Sequence, residues 1–363
     1  MTAPTTRWPG VPDGEVLQSP GRPLPEAESG DRAWSERLAE AVDAVYAPDA
    51  VFAVSQHGRR TLRCGGTAPP PAVPRPELRY ELGSATKPFT ALVLAQLIRC
   101  GLLTGGEPAV TCLRADRAPG ASPVTLAHLI THTAGLPALP ADFLVRTLPA
   151  RRTNPYARYS GPRVVDAFLR HRPRHRPGTR WHYSNFGVAV LGHAVAAATR
   201  TAWEELLAEH VLGPLVLGST GTRPGGPGSD AVGHGKDGRT PVPPFDAGGF
   251  QAAGAVRATP HDLLTFLEAH LDPLGAPPTE ALLSMRTPVL RRGLDHRHVH
   301  TTGWFRHPTD RGPMYFHSGA TLGQQAFLGF RPDTGTALVA LCTRRFRARD
   351  PFVATAYSLL AQG

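Results

Sequence analysis

Apolar positions along this chain follow helical and strand-like spacings, separated by long polar stretches rich in Pro and Gly. Over residues 33–46, Leu38, Val42 and Val45 recur at helical spacing, which predicts an amphipathic helix. Residues 51–54 and 61–64 read as two strands joined by a turn at His57-Gly58. A Pro-rich connector leads to an extended stretch at 78–82 and then to a helix that begins around Ser84. That helix should run to about Cys100, with Leu94, Leu97 and Ile98 on its buried face, Pro88 in its first turn and Gly101 as its stop. From there to about Phe245 the pattern is helical and loop-rich, with helices near 124–132, 163–170 and 186–198. Beyond it come a helix at 260–270, strands at 314–317, 325–330 and 337–342, and a terminal helix from Phe352. Strands cluster at the two ends and helices in the middle. The expected organisation is therefore a flexible segment over 1–30, a sheet domain from 31–90 and 246–363, a helical insertion over 91–245, and a site between the last two.

Composition narrows this picture. A chain of 363 residues with 41% hydrophobic content buries a large core, which excludes global disorder. No window reaches the ~18 uninterrupted apolar residues of a membrane span, and the start of the sequence has no secretory pattern. Four scattered cysteines, Cys64, Cys100, Cys112 and Cys342, form no metal or disulfide spacing. A cytoplasmic protein without membrane contact is expected. The net charge of +10 lacks any helix-turn-helix, zinc-finger or RNP-like frame, so no nucleic-acid partner is expected. The charge is uneven, with ten arginines and the single acid Asp166 between Arg146 and Arg180. Such a stretch is either solvated surface or a docking face for an anionic substrate or an acidic carrier protein.

The basic residues point to the chemistry. Only two are lysines, Lys87 and Lys236, and Lys87 follows Ser84 by three positions. Lysine supplies what guanidinium cannot, an amine able to lose its proton when buried. At i and i+3 of a helix, the Ser84 hydroxyl and the Lys87 amine share a face, an arrangement that activates a weak nucleophile. Three further stretches follow in order: Thr131-His132-Thr133-Ala134-Gly135-Leu136-Pro137, Tyr183-Ser184-Asn185, and His317-Ser318-Gly319 at a strand end. Tyr183 is a candidate base, because a phenol near a buried ammonium becomes easier to ionise.

In this order and spacing the motifs closely resemble the serine β-lactamase and penicillin-binding-protein superfamily, in its class C-like branch of DD-peptidases, esterases and transacylases. The resemblance covers about Ala33 to the C-terminus. It implies an α/β (α+β), β-lactamase-like fold: an antiparallel sheet built from both chain ends and flanked by helices, plus an all-helical insertion. It also implies Ser84 as nucleophile, Lys87 as its partner and Tyr183 as base. Asn185, His317, Ser318, Gly319 and Trp304 are then expected around the substrate, with the backbone N–H groups of Ser84 and Ala320 as the oxyanion hole.

His317 stands where β-lactamases carry a lysine. The change replaces a fixed cation by a group titrating near neutrality and weakens recognition of a substrate carboxylate. His132 is expected to be structural. His296-x-His298-x-His300 reads as a solvated loop, and no metal or cofactor is expected. The expected function is a cytosolic acyl-transfer enzyme. It would pass an acyl group from an ester or amide metabolite, through acyl-Ser84, to an amine or alcohol acceptor or to water, plausibly in natural-product biosynthesis. The alternatives are a plain esterase or amidase, a D-amino-acid-specific peptidase, and a non-catalytic penicillin-binding type of ligand-binding protein.

Overall fold

The computed structural model describes residues 30–363 except 121–122, 151–152, 174, 227 and 293–297. The segment expected to be flexible, up to residue 29, and His296 therefore lie outside the described residues.

Eight strands form one antiparallel sheet in the order β2-β1-β10-β9-β8-β7-β6-β5. They are β1 (Ala50–Gln56), β2 (Arg59–Gly65), β5 (Pro288–Arg292), β6 (His298–Thr301), β7 (Phe305–Pro308), β8 (Pro313–Ala320), β9 (Gln325–Arg331) and β10 (Thr336–Cys342). The two ends of the chain meet at β1 and β10, in register from Ala50↔Cys342 to Gln56↔Thr336. A separate pair, β3 (Tyr80–Glu81) and β4 (Arg257–Ala258), leads into the Ser84 turn.

The strands at the sheet centre read as continuous apolar runs because both faces are covered. Alternate residues of β1 point to opposite sides. Phe52 and Val54 pack with Trp34 and Leu38 of the helix Gly30–Asp43 and with Phe352 and Leu360 of the helix Pro351–Gln362. Val51 and Ala53 face the larger core, which holds the helix Lys87–Arg99 and the helix Pro260–Leu271. The Lys87–Arg99 helix is apolar nearly all round, and its Phe89 stacks on Phe266 at 4.0 Å. Between β3 and β4 the chain is helices and loops. Among the described residues no helix is long and apolar enough to cross a membrane.

The N-terminal helix starts and ends three residues before its expected bounds, at Gly30 and Asp43. The larger difference is at β5, β6 and β7, three strands that no apolar pattern predicts, one of them overlapping the expected loop at 296–300. They are rich in Arg, His and Pro and extend the sheet toward an edge, where cross-strand pairing forms strands without an apolar run. The expected solvated loop around His300 is thus strand β6, with His300 buried.

Candidate active site

Ser84 lies in a 3-10 turn, Gly83–Thr86, that runs directly into the Lys87–Arg99 helix. Within residues 81–90 only Ser84 is not buried. Two glycines bring β8 against this turn at backbone contact. A Cβ on Gly83, whose φ is +50°, would lie 2.5 Å from the Ala320 carbonyl oxygen. One on Gly319 would lie 2.0 Å from the Leu82 oxygen and 2.7 Å from the Ser84 nitrogen. Ser84 and Ala320 consequently line the same cleft.

Lys87 is 2% exposed. Its Nζ donates to Asn185 Oδ1 at 2.8 Å and to the Ala253 carbonyl at 3.0 Å. Burial holds its pKa well below the ordinary lysine value. A neutral amine has two N–H groups and one lone pair. The two acceptors match the former, and the lone pair remains to take a proton.

Tyr183 comes from the insertion. It precedes Ser184, which caps the helix Asn185–Thr199 by accepting from Gly187 N–H at 2.8 Å and donates to the Pro137 carbonyl at 2.6 Å. His132, in the left-handed region at φ +59°, holds both sides of Tyr183. Its Nδ1 accepts from Ser184 N–H at 3.2 Å and its carbonyl accepts from His182 N–H at 2.8 Å. The Tyr183 hydroxyl lies close enough to Ser84 for that side chain to bear on its ionisation, and the ring centroid is 5.0 Å from Lys87 Nζ.

The protonation states correct the expectation of an ammonium-assisted phenolate. Burial raises the Tyr183 pKa above its ordinary value, and it lowers that of Lys87. Each resting group is pushed toward its neutral form, so Tyr183 keeps its proton and the vacant lone pair belongs to Lys87. His317, 3% exposed, is likewise no group titrating near neutrality. Burial, then Lys87, push it down to about 3, while a hydrogen bond between Nδ1 and the Ser318 carbonyl at 2.8 Å opposes them.

Ser318 is buried and pairs with Phe327 across the sheet. Trp304 does not reach the Ser84 cleft. It is 2% exposed, against His270 at 5.0 Å and Phe330 at 5.2 Å, and borders only a small cavity behind Lys87 shared with His132 and His317. Gly303 explains the placement, since a Cβ there would sit 2.8 Å from that of Ala91. The loop before Trp304 lies on the core helix and carries the indole inward.

Three contributors escaped the sequence reading. Tyr156 lines the cleft and hydrogen-bonds Asn185, which also accepts from Lys87. Phe245 and Phe250 stand edge-on to its ring at 5.5 and 5.3 Å. His300 stacks on Trp181 at 4.1 Å, and Trp181 in turn packs on Tyr183. The aromatic character of 156, 245 and 250 was the available signal, and Tyr156 sits far in sequence from the 245–250 stretch.

Among the described residues, none of those lining the cleft has a charged side chain. Among the described residues no group of three His, Cys, Asp or Glu could hold a metal ion. In the arginine-rich stretch, Arg146 pairs with Asp142 at 3.5 Å, and Arg158, Arg163, Arg170, Arg172, Arg176 and Arg180 are exposed. Arg151, Arg152 and Arg174 lie outside the described residues.

Comparison with known proteins gives this arrangement its relatives. Penicillin-binding protein 4 of Amycolatopsis lactamdurans is 29% identical over 289 residues, 72% of this chain and 71% of that protein. Protein flp of Staphylococcus aureus is 24% identical over 73% of this chain, which spans about half of its length (53%). A class C β-lactamase from Rhodobacter sphaeroides superposes with a TM-score of 0.73 at 22% identity, over 92% of this chain and 99% of that one. A D-stereospecific amidohydrolase from Streptomyces superposes with a TM-score of 0.71 at 23% identity, over 90% and 98% of the two chains. The β-lactamase family profile matches residues 35–362, so with its Ser84-x-x-Lys87 turn, Tyr183 and β8 in these positions the chain belongs to the serine β-lactamase and penicillin-binding-protein superfamily.

Proposed function

We propose that this serine hydrolase relative is an acyl-transfer enzyme that takes an uncharged ester or amide and passes its acyl group through Ser84 to an amine or alcohol acceptor or to water. The observation that carries the reading is Ser84 beside Tyr183 and a buried Lys87 held by Asn185 and the Ala253 carbonyl, in a cleft without charged side chains among its described lining residues.

In acylation the Ser84 oxygen bonds to the carbonyl carbon while its proton passes to the Lys87 amine. The tetrahedral oxyanion is held by the backbone N–H groups of Ser84 and Ala320. On collapse the bond to the leaving group breaks, and that group takes the Tyr183 proton, which the Lys87 ammonium replaces. Deacylation runs the same sequence in reverse with the acceptor in place of the leaving group. Asn185 and Tyr156 keep Lys87 aimed.

Among the described lining residues a substrate carboxylate finds no cation, and a His317 whose pKa is lowered by burial supplies none. This disfavours β-lactam and carboxypeptidase substrates. An amidase reading is supported by the amidohydrolase neighbour, and the cleft admits a neutral amide equally well. A purely ligand-binding role would leave the lowered Lys87 pKa without a use. Cytoplasmic location is supported by four free cysteines, Cys64 and Cys100 being exposed. The arginine stretch is our candidate for an acidic carrier protein or part of the acceptor site, and a biosynthetic transacylase is the role we favour.

The test is intact-mass detection of acyl-Ser84 with p-nitrophenyl esters, followed by product partition between water and a panel of amines and alcohols. Water stands at tens of molar, so an acceptor must be held in line to compete. Transfer is expected. Products that stay hydrolytic across the panel leave a plain esterase or amidase, and the absence of any Ser84 adduct refutes the mechanism.

A further inference from the structure

We propose that Glu81 is the positioning residue of the acyl cleft, a buried carboxylate that fixes two of its walls relative to the nucleophile turn. The proposal rests on the acyl-Ser84 reading above. Glu81 is 5% exposed and precedes Ser84 by three residues. Its Oε1 accepts from the Phe245 backbone N–H at 2.7 Å and from Arg257 Nη1 at 2.9 Å. Its Oε2 accepts from the Thr321 hydroxyl at 2.5 Å. Arg257 closes the ring by donating from Nη2 to the Phe245 carbonyl at 2.5 Å. The Glu81 N–H donates to Gln324 Oε1 at 2.9 Å, which anchors the same loop that carries Thr321.

Phe245 and Thr321 both line the cleft, and Thr321 directly follows Ala320. One side chain thus joins three segments distant in sequence at the points where they face substrate. Only a carboxylate serves, because three donors, one of them cationic, converge on its two oxygens. Glutamine would lose the charge opposite Arg257 and turn an NH2 toward the Thr321 hydroxyl, whose oxygen already accepts from the Gly323 and Gln324 N–H groups.

The test compares Glu81→Gln with Asp49→Asn. Asp49 makes a buried ion pair of similar kind with Arg75, at 2.7 Å, and lines no part of the cleft. Two readouts are taken on the full chain: the rate of Ser84 labelling by a fluorophosphonate, and deuterium exchange of 242–246 and 320–324. Misplacement by ~1 Å can cost ~10²-fold, so Glu81→Gln is expected to slow labelling at least ~10-fold relative to Asp49→Asn. Temperatures are set equally far below each Tm. Exchange should rise in both cleft segments and stay unchanged between β1 and β10.

The double variant Glu81→Leu/Arg257→Met removes both members of the buried ion pair, so neither charge is left alone, while the Phe245 N–H and the Thr321 hydroxyl still lose their acceptor. It is expected to recover part of the Tm lost in Glu81→Gln and to remain slow in labelling. Recovery of both, labelling equal to Asp49→Asn, or unchanged exchange at Phe245 and Thr321 would overturn the proposal. If the wild-type protein takes up no probe at Ser84, the acyl-enzyme reading fails, and exchange alone decides the role of Glu81.

Discussion

Replacing Lys87 by Arg or by Met separates its charge from its proton chemistry. The amine is enclosed, with Asn185 Oδ1 and the Ala253 carbonyl as acceptors and no ion-pair carboxylate among the described residues. Arginine cannot shed its proton, so Lys87→Arg must bury a full positive charge there. Leaving a charge buried and unpaired costs about 3–5 kcal/mol. At roughly 2 °C per kcal/mol for a large domain, Tm should fall by about 5–10 °C. Lys87→Met keeps the length of the side chain and removes the desolvated amine, but leaves two acceptors without donors. These effects oppose each other at about 1–3 kcal/mol each, so Tm should move by only a few degrees. Both variants lose the vacant lone pair, and loss of a general base lowers the chemical step by about 10²–10⁴. Differential scanning fluorimetry gives Tm, and burst kinetics with a p-nitrophenyl ester gives the acylation rate. Wild-type acylation by Lys87→Arg would refute the neutral-lysine mechanism, since Arg can act only as a charge. In the wild-type protein, acylation should be lost as pH falls through the lowered pKa of Lys87. The sign for stability follows from the same shift. Between the folded and unfolded pKa values the unfolded chain binds the extra proton, so this group's contribution makes folding more favourable as pH rises through that window.

Ser84→Ala should abolish turnover with circular dichroism unchanged, and more than a few per cent residual activity sinks the acyl-enzyme. Tyr183→Phe should slow the chemical step by about 10²–10⁴ with little change in binding. A raised KM at constant kcat would make Tyr183 a substrate contact instead. Gly319→Ala places a methyl against Leu82 and the Ser84 nitrogen, so it should separate β8 from the turn and slow acylation even where the fold survives. Normal phosphonylation of that variant would show that the close approach is dispensable.

Much of the site was legible because its motifs are local. Ser84 and Lys87 are three residues apart, Tyr183 and Asn185 flank a helix cap, and His317 to Gly319 end a strand. The central strands were legible for the same reason, as short apolar runs between turn residues. Tyr156, Phe245 and Glu81 were not, because their roles arise only when segments more than 60 residues apart are folded together. The strands β5 to β7 hid behind Arg, His and Pro, residues that pairing tolerates at a sheet's side but pattern does not reveal. Trp304 was placed around the substrate by the resemblance alone. Its inward course depends on Gly303 lying against Ala91, which no local pattern records.

The sequence allowed Lys87 to lose its proton on burial but did not reveal the shifts at Tyr183 and His317, and these bear on substrate. Burial moves every titrating group around the nucleophile toward neutrality: Lys87, His132 and His317 downward, Tyr183 upward. On the proposed mechanism, charge then appears in this cleft when Ser84 attacks, as an oxyanion and an ammonium formed together. In a dry site such a pair attracts far more strongly than in water, so the surroundings favour the transition state over the resting state. A substrate that brings its own permanent charge loses this advantage, since it must desolvate the charge on binding, before any bond changes. On the proposed acyl-Ser84 mechanism, the same burial that frees the Lys87 lone pair therefore favours a neutral acyl donor.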